Sequence, residues 1–206
     1  MKRTFVISDW FNSLSHSVRR NRFNVILYAL LCLLFLVVGI AVGITVPDKA
    51  EYISISNGVL FGFLRGESGV FGFFFADFFL SVAYFVFAAS MFFNRPTTFL
   101  SLAPCAYRSY ILGLNVSVTV VAYTVSAVPM LFVLFVPTCI IEIAMLCMLS
   151  YGCFYFRSLN AGCSPSKADL AQYYKKVLQY ILALFVVAVI KSVTLLLFGA
   201  GLVGVV

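Results

Sequence analysis

The sequence predicts an all-α fold: a polytopic helical membrane bundle of about five transmembrane helices with a cytoplasmic N-terminus. Of the 206 residues, 63% are hydrophobic and only 10% are charged, whereas a soluble domain carries about 25% charged residues. Long apolar runs recur along the chain, and about 20 apolar residues in a helix cross a hydrocarbon core of about 30 Å. The length suits one compact bundle without a separate soluble domain.

The N-terminal region divides into a basic lead-in and a first span. Residues 1–22 have apolar positions at helical spacing, which is typical of an amphipathic helix in the membrane interface or of a solvated lead-in helix. Residues 23–46 form an apolar run too long for a cleaved signal peptide, so they predict an uncleaved span. Within it, Gly39 and Gly43 predict a flat strip for close helix packing.

The rest of the single transmembrane domain, residues 23–206, contains four more apolar runs. They predict spans at residues 70–93, 109–127, 128–156 and 177–206. Pro137 predicts a kink or break in the fourth span, because proline removes a hydrogen-bond donor and clashes with the preceding turn. Residues 59–64 and 97–107 are too short or too interrupted to cross, so they predict interfacial or re-entrant segments. Ser166 predicts a helix cap within a polar loop, residues 157–176.

The distribution of basic residues predicts the orientation. With the N-terminus in the cytoplasm, only Lys49 and Arg65 fall outside, while Lys191 lies within a span. The eleven bases that then fall inside are Lys2, Arg3, Arg19, Arg20, Arg22, Arg95, Arg108, Arg157, Lys167, Lys175 and Lys176. Because cytoplasmic loops are rich in Lys and Arg, this asymmetry predicts a multi-pass protein of the cell membrane with its C-terminus outside.

Sequence patterns of known enzyme sites are missing. The one histidine, His16, precedes the first span, which excludes HExxH zinc chemistry and leaves no histidine base inside the bundle. There is no GxxxxGK[ST], no CxxC pair and no Cys/His cluster. We therefore expect no enzyme activity, no metal and no cofactor. The net charge of +7 comes from bases at span ends, so nucleic acid is not an expected partner.

Three charged residues fall within predicted spans: Asp77, Glu142 and Lys191. A charge at membrane depth is costly, so each needs a partner or a water-filled cavity. One interpretation is an ion or proton path. Another is a buried pair of Lys191 with either acid, and a third is an acid kept neutral or a side chain that reaches the interface. Asn115 and its polar neighbours Ser117, Thr119 and Ser126 predict hydrogen bonds between helices.

One segment resembles a known family. Tyr107-Arg108-Ser109-Tyr110-Ile111-Leu112-Gly113-Leu114-Asn115 is similar to the "RGhhLGh" start of a span in the stage II sporulation protein M family, with Arg108, Leu112 and Gly113 at the motif positions. Pro137 matches the proline of the following span. The resemblance covers residues 15–157. Ser109 stands where many members have Gly, and Thr138-Cys139 stands where many have Gln-Asn, which indicates a distant member.

The resemblance implies a bacterial polytopic membrane protein without known catalytic activity that acts as a platform for cell-wall hydrolases. The first hypothesis is therefore a scaffold or assembly factor of an envelope or membrane complex. Its partners would bind the Gly39/Gly43 strip and the outside segment 47–69, besides the lipid bilayer; self-association stays open. The alternative is a small transporter or permease subunit with a path lined by Asp77, Glu142 and Lys191. A holin-type pore-former fits less well, because it needs few intramembrane charges.

Overall fold

The computed structural model describes residues 22–45, 69–91, 95–123, 136–159 and 166–199. Within these ranges the chain is helical and contains no strand, which confirms the all-α prediction. The helices are α1 (Arg22–Thr45), α2 (Val70–Ser90), α3 (Arg95–Leu100), α4 (Ala103–Tyr123), α5 (Val136–Leu159) and α6 (Lys167–Gly199). Outside the described residues lie positions 1–21 of the predicted lead-in 1–22, the segment 46–68 with the predicted piece 59–64, residues 124–135 and residues 200–206.

Among the residues that the structure describes, four helices are long and apolar enough to cross a membrane, as expected of a multi-pass membrane protein. These candidate spans are Ile26–Thr45 in α1, Val70–Ser90 in α2, Val136–Arg157 in α5 and Lys167–Thr194 in α6. The predicted third span, residues 109–127, corresponds to α4, which is not among them. Polar side chains such as Arg108 and Asn115 make α4 less apolar than the other long helices.

Three prolines stand at helix starts. Pro96, Pro104 and Pro137 are the second residues of α3, α4 and α5, respectively. The first turn of a helix tolerates proline, because its backbone N–H groups have no intrahelical acceptor. The predicted span 128–156 overlaps α5, which the structure describes from Val136 onward, while residues 128–135 lie outside the described residues. The segment 97–107 divides between α3 and the first turns of α4.

α6 begins ten residues before the predicted span start at residue 177. The Ser166 hydroxyl accepts a hydrogen bond from the Asp169 backbone N–H at 3.2 Å and donates one to the Asp169 carboxylate at 2.6 Å. This reciprocal cap confirms the prediction for Ser166 and starts a helix inside the polar stretch. At 1.5 Å per residue, α6 is about 50 Å long, so it exceeds the hydrocarbon core.

α6 runs antiparallel to both α2 and α5. Near its start, the Tyr173 hydroxyl donates to the Ala89 carbonyl at the end of α2 at 2.9 Å, and the Tyr173 ring lies 4.8 Å from the Phe156 ring near the end of α5. Near its other end, Lys191 bonds to carboxylates close to the starts of α2 and α5. Consequently, α2 and α5 run in the same direction.

α1 and α4 run parallel and meet at glycines. Gly39 lies against the Tyr110 carbonyl oxygen and 2.9 Å from the Leu114 backbone nitrogen, both measured from the position of an added Cβ. Gly43, one turn later, lies against the Ser117 hydroxyl and 3.1 Å from the Leu114 carbonyl oxygen. A glycine later in α1 thus contacts residues later in α4, which shows that the two helices are parallel.

Gly113 makes the same contact from the α4 side. A Cβ added there would collide with the Leu36 carbonyl oxygen and lie 3.1 Å from the Ile40 backbone nitrogen. The two backbones therefore approach so closely that neither helix has room for a side chain at these positions. Since α4 covers the Gly39/Gly43 strip, the hypothesis that a partner binds this strip is wrong.

Substitution of the strip glycine should destabilise the bundle. We expect Gly39→Ala to lower the free energy of unfolding by about 1–3 kcal/mol, because the added methyl group forces the α1 and α4 backbones apart. Gly152→Ala in α5 is the matched control, since nothing lies within 4 Å of its added Cβ; it should be neutral or stabilising by up to about 1 kcal/mol. The measurement is thermal unfolding of both variants in the same mild detergent. Equal melting temperatures would contradict the packing argument.

Candidate functional site

Four helices bring charged side chains to one place in the bundle. Asp77 comes from α2, Arg108 from α4, Glu142 from α5 and Lys191 from α6; we call these four residues the ionic cluster. Ser81 of α2 joins them, because it lies one turn after Asp77 and therefore shares its helix face. The sequence analysis singled out the two acids and Lys191, and the structure brings all three together.

Glu142 lies at the centre of the ionic cluster and is 1% exposed. Arg108 donates from Nε to Glu142 Oε1 at 3.1 Å and from Nη2 to Oε2 at 3.0 Å, which is the two-pronged geometry of strong arginine–carboxylate pairs. Lys191 Nζ donates to Oε2 at 3.1 Å, and the Ser81 hydroxyl donates to Oε1. Four hydrogen bonds occupy the acceptor sites of this carboxylate.

Asp77 is the second carboxylate of the ionic cluster, and it contacts both cations. Lys191 Nζ donates to Asp77 Oδ2 at 2.9 Å, and Arg108 Nη2 lies 3.5 Å from Asp77 Oδ1. Each cation thus touches both carboxylates, and the formal charges of the cluster cancel. Asp77 and Arg108 are the more exposed members, with 14% and 12% of their side chains accessible, against 4% for Lys191.

Three members of the cluster, Asp77, Glu142 and Lys191, lie inside candidate spans. At 1.5 Å per residue, Asp77 is about 10 Å from the start of α2, and Glu142 is about 9 Å from the start of α5. Charges at such depth are tolerated when they pair with one another. Removing one partner of a buried pair leaves an uncompensated charge, which costs about 3–5 kcal/mol in soluble proteins.

Arg108 is the member that sequence reasoning missed. It was counted as a cytoplasmic loop residue before a span that starts at 109, but α4 already begins at Ala103, so Arg108 lies in its second turn. Its guanidinium also lies 5.7 Å from the centre of the Tyr84 ring, within the range of a cation–π contact. Charge balance could have identified Arg108 from the sequence. The predicted spans contain two acids, Asp77 and Glu142, but one base, Lys191, so a second cation is needed to neutralise them.

The other residues of the family-like motif, and Asn115, lie outside the ionic cluster in α4 and α5. Leu112 packs with Cys139 and Ile143 of α5, while Gly113 faces α1. Asn115 is buried in α4, and Pro137 is exposed at the start of α5. The predicted interhelical bond is wrong for Ser117, whose hydroxyl donates to the Leu114 carbonyl of its own helix at 2.9 Å. Thr119 and Ser126 have side chains outside the described set.

Chemically, the cluster consists of mutually satisfied ion pairs. Across the described ranges, no group of three or more His, Cys, Asp or Glu side chains could hold a metal ion. No family model, curated protein or solved structure matches the chain. The resemblance to the stage II sporulation protein M family therefore stays a prediction, and the functional argument depends on the geometry of the bundle.

Charge balance within the cluster can be tested by paired substitutions. Lys191→Met should lower the free energy of unfolding by about 3–5 kcal/mol, because two carboxylates then share one cation at membrane depth. The double variant Lys191→Met/Asp77→Asn restores neutrality, so it should be more stable than Lys191→Met alone. Lys175→Met, at an exposed position of the same helix, is the control and should change little. Thermal unfolding in detergent is the measurement, and a double variant less stable than Lys191→Met would contradict the pairing.

Proposed function

We propose that the chain is a non-enzymatic membrane scaffold or assembly factor for an envelope or membrane complex. The observation that carries the proposal is the ionic cluster, in which every member is paired across α2, α4, α5 and α6. Such pairing fixes the relative positions of helices, which a platform needs. The resemblance to the stage II sporulation protein M family supports the same role.

A small transporter or permease subunit is the second candidate, because Asp77, Glu142 and Lys191 converge as a transport path requires. The pairing is evidence against it. An ion-carrying carboxylate must exchange its partners for the transported ion, yet Glu142 is engaged by Arg108, Lys191 and Ser81 and is almost fully buried. This argument favours the scaffold.

We further propose five spans, with α4 as the third. α2 and α5 run in the same direction, so the chain must return across the membrane between them. α4 is the long described helix of that interval, and it runs antiparallel to α5: Arg108 reaches Glu142 near the start of α5, while Ser150, further along α5, bonds to the Ser101 carbonyl just before α4. Its 21 residues extend about 32 Å, enough for a hydrocarbon core of about 30 Å.

The basic residues support a cytoplasmic N-terminus in a bacterial cell membrane. Because Arg108 belongs to the ionic cluster, ten bases rather than eleven fall on the inner side, against Lys49 and Arg65 outside. The end of α2, the end of α5 and the start of α6 lie together at one end of the bundle. Arg157, Lys175 and Lys176 lie near that end, as a cytoplasmic face requires.

The number of spans determines where the two termini lie. With five spans, a reporter fused to the N-terminus should be cytoplasmic and one fused to the C-terminus should be outside. With four spans, both would lie on one side. The measurement is a pair of fusions to alkaline phosphatase, active only outside, and to green fluorescent protein, fluorescent only in the cytoplasm. Fluorescence from both termini would contradict the five-span proposal.

The scaffold proposal predicts a stoichiometric partner. Tagged protein, extracted from its native membrane in mild detergent, should retain one envelope protein such as a cell-wall hydrolase at a fixed ratio. Mass spectrometry of the pull-down measures that ratio, and an unrelated multi-pass protein with the same tag is the control. Recovery of an ATPase subunit would instead favour the permease.

Liposome flux provides the opposing test. Purified protein should show no ion or proton flux above empty liposomes if the cluster is structural. Flux that wild type supports and that Asp77→Asn or Glu142→Gln abolishes would contradict the scaffold and favour the transporter. Both substitutions keep side-chain size, and circular dichroism would verify that the variants remain folded.

A further inference from the structure

A pair of thiols that takes no part in the ionic cluster lies between α1 and α5. The sulfur atoms of Cys32 in α1 and Cys147 in α5 lie 3.4 Å apart, although the residues are 115 positions apart in sequence. Both cysteines are free, and both are half-buried. No contact of the ionic cluster uses them, so the scaffold argument leaves this pair unexplained.

The pair is close enough to become a disulfide. The sulfur–sulfur bond is about 2.05 Å long, so the two atoms would need to approach by about 1.4 Å. The two helices are in direct contact, so the movement required is a rotation of the two side chains with a small helix adjustment. Cys105 is a second neighbour of Cys147 and is therefore the competing partner.

The depth of the pair restricts the oxidant. Cys32 lies about 9 Å along α1 from Ile26, and Cys147 lies about 16 Å along α5 from Val136, counting 1.5 Å per residue. Both thiols therefore lie at the depth of the hydrocarbon core if α1 and α5 cross the bilayer. A water-soluble disulfide such as oxidised glutathione does not enter this region, but a lipid-soluble quinone does.

We propose that Cys32 and Cys147 form a redox-active dithiol, which a quinone dissolved in the bilayer oxidises to a disulfide between α1 and α5. The two S–H bonds break and one S–S bond forms. The two electrons and two protons pass to the quinone, which becomes the hydroquinone. A dithiol–disulfide couple is in general more reducing than a membrane quinone, and quinones accept electrons from thiol-oxidising membrane systems.

The disulfide would change how α1 is held. α1 contributes no residue to the ionic cluster and meets α4 through glycine contacts. A covalent bond to α5 would fix α1 against the charged part of the bundle. The quinone pool would thereby set the mobility of the N-terminal span, whatever partner the protein has.

The test uses the full chain reconstituted in liposomes and two oxidants. Duroquinone is the lipid-soluble probe, because methyl groups at every free ring position prevent addition of the thiol to the ring. Oxidised glutathione is the aqueous probe. After each treatment, free thiols are blocked with N-ethylmaleimide in denaturant, and mass spectrometry maps the disulfide-linked peptides. Cys32→Ala and Cys147→Ala are the test variants, and Cys139→Ala and Cys153→Ala are the controls.

We expect duroquinone to produce the Cys32–Cys147 peptide in wild type and in both controls, with loss of that peptide in either test variant. The oxidised protein should melt at a higher temperature than the reduced protein, and the difference should vanish in Cys32→Ala. Three results would overturn the proposal: no linked peptide, a Cys105–Cys147 peptide in its place, or equal oxidation by oxidised glutathione. A redox-dependent melting shift that persists in Cys32→Ala would overturn it as well.

Discussion

The cost of a charge in hydrocarbon is the constraint on which the bundle depends. Each charged group of the ionic cluster would be expensive alone, and each becomes tolerable only when the helices carrying its partners are in place. Glu142 has the strictest requirement, since it is almost inaccessible and accepts hydrogen bonds from three other residues. The positions of α2, α4, α5 and α6 are thereby coupled through a single carboxylate.

α1 is held by a different physical principle. In lipid, apolar surfaces gain little from meeting one another, so close van der Waals packing has to drive helix association. Gly39, Gly43 and Gly113 allow the α1 and α4 backbones to come close enough for such packing. The bundle therefore combines a directional, charge-based contact with a shape-based one, and α4 takes part in both.

The sequence predicted the all-helical membrane class, the candidate spans in α1, α2 and α6, the Ser166 cap and the cost of the intramembrane charges. Apolar periodicity and length carry that information. It placed Arg108 in a loop, because hydropathy marks where a segment is apolar, whereas the helix already begins at Ala103, next to Pro104. It also left open which acid would meet Lys191. Pairing across helices depends on helix direction and rotation, which no local pattern encodes, and Lys191 in fact meets both acids.

The ionic cluster also constrains how the protein can be synthesised. During translation, α4 leaves the ribosome before the α5 carboxylate and the α6 ammonium exist, so Asp77 is the sole counter-ion in the cluster then available to Arg108. On the five-span topology, α4 is the least apolar crossing segment and poorly suited to partition into lipid alone. On that topology, Asp77 of α2 would be the first partner of Arg108 in the membrane, and the other ion pairs would form only when α5 and α6 are present.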